Sequence, residues 1–232
     1  MFSKFLRKNY DKPIVRTVSL SYNFFRTHIS NWNKTNRILP GLYLGIIPVK
    51  KSYCDFLCGD RYNNKATQIL KNISQTDADK PLKLVISVVL PAELRGEGFG
   101  PYTMVSQEDW KDEGVAQHIL PMPDFGAVVD NQKAIETILR MKECIDRNET
   151  VYVHCKAGAG RSAMICAIYL AAFEKHPETK ESFSIEQAVV FLQSKRPQVH
   201  LDLDKIAKAK EILKEMKELK PKMVVGAKDA KI

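Results

Sequence analysis

Nowhere in this 232-residue chain is there a run of the ~18 consecutive apolar residues that a membrane-spanning helix needs, so no spanning helix is expected. Cysteine is sparse: five residues, an odd number without framework spacing. That argues against a disulfide scaffold and for a reducing, intracellular compartment in which a thiol stays free to react. Cys54 and Cys58 lie four apart with no second ligand pair, so neither a metal site nor any other cofactor is expected. The first residues lack the long apolar core and small-residue cleavage site of a secretory signal. Acidic residues are rare at both ends. Met1 to Pro40 carries eight Lys and Arg against Asp11 alone, and Lys205 to Ile232 carries nine Lys against four acids. With a formal net charge of +9, the middle is therefore slightly acidic. The asymmetry points to an anionic surface partner, read as lipid headgroups at a peripheral membrane face and not as nucleic acid. A monomer is expected.

A chain of this length with 44% hydrophobic residues can build one α/β domain with a sizeable core. Three parts are expected: a basic segment 1–36, a domain 37–220, and a basic, disordered tail 221–232. In the first, Val18, Tyr22 and Phe25 fall at helical spacing. This segment reads either as an amphipathic helix on a membrane surface or as an extra helix packed on the domain. Its acid-poor composition also permits a mitochondrial presequence. Ile38 to Gly45 reads as a first strand, Ser52 to Leu70 as helical, and Leu82 to Val89 as a buried strand ended by Pro91. Ala92 to Thr103 reads as a glycine-bearing loop, Gln107 to Lys111 as a short helix, and Val115 to Pro121 as a strand. Further helices are expected over Ala134 to Cys144, Ser162 to Phe173, from a capping box at Ser184 and Gln187, and over Leu201 to Leu219. Cys144 and Cys166 read as core residues; a redox bridge from Cys166 to Cys155 is the alternative.

The most informative stretch is His154-Cys155-Lys156-Ala157-Gly158-Ala159-Gly160-Arg161-Ser162, set between Val151-Tyr152-Val153 and a helix-forming run. The order strand, glycine-bearing loop, helix presents unpaired N–H groups and partial positive charge to an anion. A cysteine there, beside a guanidinium, is lowered toward the nucleophilic thiolate. Gly158 and Gly160 let the loop curl so that successive N–H groups share one focus. Arg161 offers a planar fork to two phosphate oxygens. Ser162 can donate to the sulfur as it leaves, and Lys156 adds a second cation at the rim.

This stretch resembles the signature of cysteine-dependent, dual-specificity-type phosphatases, His-Cys-x-x-Gly-x-x-Arg-Ser/Thr. Tyr152 to Gly158 looks most like the mitochondrial-type tyrosine-phosphatase-like branch that acts on phosphatidylglycerophosphate, and it is also similar to the phosphatase-and-tensin-homologue lipid phosphatases. Leu42 to Gly45, Ser106 to Val115, and Ser19 to Arg26 followed by Asn36 to Pro40 look like the same branch. The resemblance, from about Ile38 to Leu219, implies a central mixed or parallel four- to five-stranded sheet flanked by helices. It implies catalytic Cys155, Arg161 and Ser162, a substrate-binding loop from Lys156 through Ala157, Gly158 and Ala159 to Gly160, and His154 in support.

Breaking a phosphate ester needs a proton for the leaving oxygen, and a carboxyl on a loop can supply it. Asp124, in Pro121 to Gly126, lies 31 residues before Cys155, a spacing similar to the family's general-acid loop. The rival Asp130 suits a helix N-cap. Arg196 resembles a family Arg-Pro feature; with His200 it would support the loop or bind a second anion, or it caps a helix end. The chain departs from its relatives at Ala159, where lysine or arginine is common, which argues against a highly phosphorylated inositol headgroup. It also has Leu201 to Lys205 where some relatives carry a water-positioning glutamine. The expected function is phosphomonoester hydrolysis on a phospholipid. Alternatives are a phosphotyrosine/phosphothreonine protein phosphatase and a phosphate-reading adaptor without turnover.

Overall fold

The computed structural model describes residues 35–51, 66–97 and 103–226. The expected N-terminal helix, Cys54, Cys58, most of the Ser52 to Leu70 helix and residues 98–102 of the Ala92 to Thr103 loop lie outside them.

A five-stranded sheet carries the domain, in the order β1 (Thr35–Leu39), β2 (Leu42–Gly45), β7 (Thr150–His154), β4 (Leu82–Ser87), β6 (Ala116–Ile119). β2, β7, β4 and β6 run parallel and β1 is antiparallel to β2, which makes the sheet mixed. β3 (Val49–Lys51) and β5 (Thr103–Met104) form a separate two-stranded ribbon. Seven helices are assigned among the described residues: α1 (Ala66–Thr76), α2 (Pro91–Leu94), α3 (Gln107–Asp112), α4 (Asn131–Asp146), α5 (Arg161–Phe173), α6 (Ile185–Lys195) and α7 (Leu203–Gly226).

Strand periodicity of two sends alternate side chains to opposite faces. Leu42, Leu44, Val151, Val153 and Ile86 pack with α4, α5, α6 and α7 on one face. Tyr43, Val85 and Tyr152 pack with Ile69 and Ile73 of α1 and Trp110 of α3 on the other. Strands buried on both faces read as continuous apolar runs, which is why β4 and β7 look as they do in the sequence. α5 is buried from Arg161 through Ala171, so it needs no amphipathic pattern. Each fully buried Ile or Leu there contributes about 1.5–3 kcal/mol over exposure.

Three differences from the sequence reading have local causes. Ile38 to Gly45 is a hairpin, not one strand. Gly41 takes φ +79, a conformation open to glycine, and reverses the chain after Pro40. Asp77, 4% exposed, anchors that turn by accepting from Tyr43 Oη at 2.8 Å and from the Arg37 guanidinium. The loop after Pro91 begins with the short α2, because proline suits the first helical position. α7 starts two residues late, capped by Asp202 accepting from Lys205 N at 2.9 Å, and runs past residue 220 to Gly226. Residues 227–232 of the expected tail lie outside the described set. Asp130 caps α4, accepting from Lys133 N at 3.0 Å. No helix among the described residues is long and apolar enough to cross a membrane.

Candidate active site

The loop 155–160 lies beyond the carboxyl end of β7, the middle strand, where open parallel sheets place ligands. Its carbonyls are bonded one after another to surrounding elements. Lys156 O accepts from Ile47 N (3.3 Å), Ala159 O from His200 N (2.9 Å) and Gly160 O from Met164 N (2.9 Å). Ala157 O and Gly158 O accept from Arg196 Nη2 (2.9 Å) and Nε (2.8 Å). A planar trans peptide points its N–H opposite to its C=O. With the carbonyls turned to these partners, the N–H groups of the following residues point away from them.

Of the alternatives for Arg196, the binding of a second anion needs correction, because these bonds make it a support of the loop. It is 0% exposed beneath the loop and also donates from Nη1 to Asn36 Oδ1 at 2.6 Å. Burial lowers its pKa to about 10. It holds loop carbonyls from below.

Of the two loop glycines, Gly158 alone takes a left-handed φ, +64. A Cβ on it would lie 2.3 Å from Gly45 O and 2.8 Å from Arg196 Nη2, whereas Gly160 has room. Gly158→Ala is expected to lose about 2–3 kcal/mol of stability through overlap and backbone strain. Displaced loop amides are expected to lower kcat/KM about 100-fold. Urea unfolding and initial rates check both; an alanine variant with wild-type values would contradict this loop geometry.

Cys155 is 3% exposed and accepts from Ser162 Oγ at 3.2 Å. Burial alone would raise its thiol. The Arg161 charge and hydrogen bonds from the Ser162 hydroxyl and N–H outweigh it and hold the thiol below the usual 9.0. Cys166 and Cys144 are free and buried, and burial pushes both upward, Cys144 to about 12, so they stay protonated.

His154 is fully buried, and burial lowers its pKa to about 4, so the ring is neutral. Gln117 Nε2 donates to Ser87 Oγ (2.8 Å), and Ser87 Oγ meets His154 Nε2 (2.8 Å). That chain leaves the Nδ1 proton for Cys155 O at 3.3 Å. His154 thus fixes the backbone of Cys155 and not its sulfur.

Arg161 is 2% exposed and paired with Glu93, itself 0% exposed, through Nη1 to Oε2 (2.8 Å) and Nη2 to Oε1 (3.2 Å). Nη1 also donates to Met122 O at 2.9 Å. Nε is buried with no hydrogen-bond partner among the described residues, 3.5 Å from Asp124 Oδ1. Burial would raise the Glu93 carboxyl, but Arg161 and then Lys156 hold it below 4.5. Lys156 is not the rim cation expected. It is 5% exposed, with Nζ 3.1 Å from Asp124 Oδ2 and 3.4 Å from Glu93 Oε1. Asp124 is thus brought to the loop, its side chain 15% exposed, while Asp130 serves its helix.

Glu93 was missed in the sequence. Its signal was Pro91 two residues earlier, opening a short helix whose third residue accepts from Leu90 N at 2.9 Å. No group of three or more His, Cys, Asp or Glu suited to a metal occurs among the described residues.

Comparison with known proteins follows the same outline. A family model described as the Swiss Army Knife protein, DSP-PTPase phosphatase domain, matches residues 103–219. Laforin of Mus musculus is 25% identical over 177 residues, 76% of this chain and 48% of that protein. The phosphatidylglycerophosphatase and protein-tyrosine phosphatase 1 of Homo sapiens is 32% identical over 114 residues, 48% of this chain and 52% of that protein. The chain thus spans about half the length of these curated relatives. A crystal structure of PTPMT1 in complex with PI(5)P superposes with TM-score 0.60 at 21% identity, covering 80% of this chain and 98% of that one. At that identity the likeness bears on the fold.

Proposed function

Since the chain belongs to the DSP-PTPase phosphatase-domain family, we propose that it hydrolyses phosphomonoesters through a phosphocysteine intermediate. Cys155 attacks phosphorus, and Asp124 in its acid form protonates the leaving oxygen as the P–O bond breaks. Arg161 and the loop amides take up the equatorial oxygens. Asp124, now a carboxylate, draws a proton from water, which displaces the sulfur from phosphorus. The observation that carries this reading is Arg161 Nε, a buried donor without a hydrogen-bond partner among the described residues, on the guanidinium whose charge lowers the Cys155 thiol. A buried N–H left unmade costs about 1–3 kcal/mol, and a phosphate oxygen would recover it.

We favour a phospholipid substrate at a peripheral membrane face, phosphatidylglycerophosphate or a sparsely phosphorylated phosphoinositide. Three observations support it: the basic ends, the relative whose name includes phosphatidylglycerophosphatase, and Leu203, 82% exposed at the start of α7, three residues after the loop's His200 contact. Lys156 is engaged by Glu93 and Asp124, which fits a headgroup with few phosphates. The second reading, a protein phosphatase, rests on that same relative's name, which includes protein-tyrosine phosphatase. A panel of phospholipid vesicles and phosphotyrosine peptides separates them. The lipid reading expects kcat/KM on vesicles at least tenfold above peptide, together with vesicle binding. Equal rates without vesicle binding count against it. Membership of a mitochondrial membrane is part of the same proposal and is checked by locating the tagged chain.

A further inference from the structure

The charges around the nucleophile do not suit a substrate as they stand. Two cations, Lys156 and Arg161, face two carboxylates, Glu93 and Asp124, beside a sulfur held toward thiolate. A phosphomonoester brings further negative charge, so one carboxylate must take up a proton when it binds. Glu93 is held by both Arg161 nitrogens, by Lys156 and by Leu90 N, with no exposed surface. Asp124 is the group with a path to solvent, at 15% side-chain exposure.

Lys156 is placed to control that group. Its ammonium is anchored on the rigid Glu93, and from there it reaches Asp124 Oδ2 at 3.1 Å. The next residue, Phe125, sits at φ +59, a conformation that side chains other than glycine avoid. Its N–H bonds back to Asp124 Oδ1 at 3.2 Å. A strained turn persists where its surroundings over-determine it. Those surroundings include the two ion pairs from Asp124 to Lys156 and Arg161.

We infer that Lys156 works through Asp124, as the positioning residue that docks the general-acid loop and sets the pH at which Asp124 gives up its proton, and not as the loop's substrate cation. The inference rests on Asp124 being the general acid. Lys156 exchanges no proton in the reaction: the proton passes from Asp124 to the leaving oxygen and returns to Asp124 from water. Among the described residues, the charged groups facing Asp124 include Lys156 and Arg161, which favour its carboxylate, and Glu93 and the Cys155 sulfur, which oppose it. An opposite charge near 3 Å favours the ionised form. Removing the lysine lets the acid form persist to higher pH.

The test is kcat/KM against pH on p-nitrophenyl phosphate, with the full chain and the variants K156M, K156R, D124N and K156M/D124N. In K156M the basic limb is expected to move up by about one pH unit, with the plateau about tenfold lower. K156R is expected to return the limb to its wild-type place, because it restores the charge. The double variant is expected to be no slower than D124N, since a residue acting through Asp124 has nothing left to act on. A K156M limb that stays put, with a raised KM and a loss that multiplies that of D124N, overturns the inference and returns Lys156 to substrate binding. If K156M does not fold, K156Q, which keeps a donor toward Glu93, carries the same two outcomes. A D124N enzyme with unchanged kcat/KM removes the general acid itself, a failure distinct from that of Lys156 alone.

Discussion

Cys155→Ser is expected to lower turnover of an aryl phosphate about 10⁴-fold, equivalent to ~5.4 kcal/mol of barrier, while the chain stays folded. Oxygen replaces sulfur in a site 3% exposed, so the packing around it changes little. What changes is ionisation. Arg161 and Ser162 hold a thiol below its usual 9.0 against the opposing effect of burial. The same groups cannot ionise a hydroxyl, which starts far higher. The serine variant should therefore still bind phosphate and fail at attack. Initial rates together with an unchanged thermal midpoint check this. Activity within tenfold of wild type would remove Cys155 as the nucleophile.

Glu93→Gln is expected to be the most damaging change to stability. The substitution keeps the shape and removes the charge opposite a guanidinium that is 2% exposed. Breaking a buried pair from one side costs about 3–5 kcal/mol, because the remaining charge is left without compensation. In urea the midpoint should fall at unchanged slope. kcat/KM should fall too, as Arg161 loses the partner that aims it. The acid side gives a second readout. Glu93 is held below 4.5, so its contribution is present above that value and lost as pH falls through the lower, folded-state value. Wild-type stability should thus decline in that acid window, and the glutamine variant should decline less steeply there. A variant as stable as wild type at neutral pH, with the same acid profile, would show the pair to be dispensable.

The sequence carried the nucleophilic loop openly because its parts are consecutive. A strand, two glycines, an arginine and a helix dictate one another within a dozen residues, and local sterics set their order. The strands β4 and β7 and the helix α5 were legible as nearly continuous apolar runs, because they are buried on almost every side. The hairpin at β1 and β2 was hidden, since Pro40 and Gly41 interrupt an apolar run that alone suggests one strand. The supporting charges were hidden by distance. Glu93 meets Arg161 from 68 positions away, and nothing local to either residue announces the other. The direction taken by Lys156 was equally out of reach. A lysine next to a catalytic cysteine looks like a substrate cation until the carboxylate facing it is known. Arg196 shows a third limit: its partners are backbone carbonyls, which every sequence has and none displays.

Those carbonyl bonds tie together parts of the chain that are far apart in order. Ile47 beyond β2, Arg196 at the end of α6 and His200 before α7 all converge on one short loop. An oxyanion seated there would act as a rivet joining the loop to three distant points of the chain, none of which could come away while it remained. Its affinity would then appear as resistance of the whole molecule to unfolding, about 2.7 kcal/mol at a hundredfold excess over Kd. A cell holding millimolar inorganic phosphate would keep such a molecule sturdier than the same chain in phosphate-free buffer.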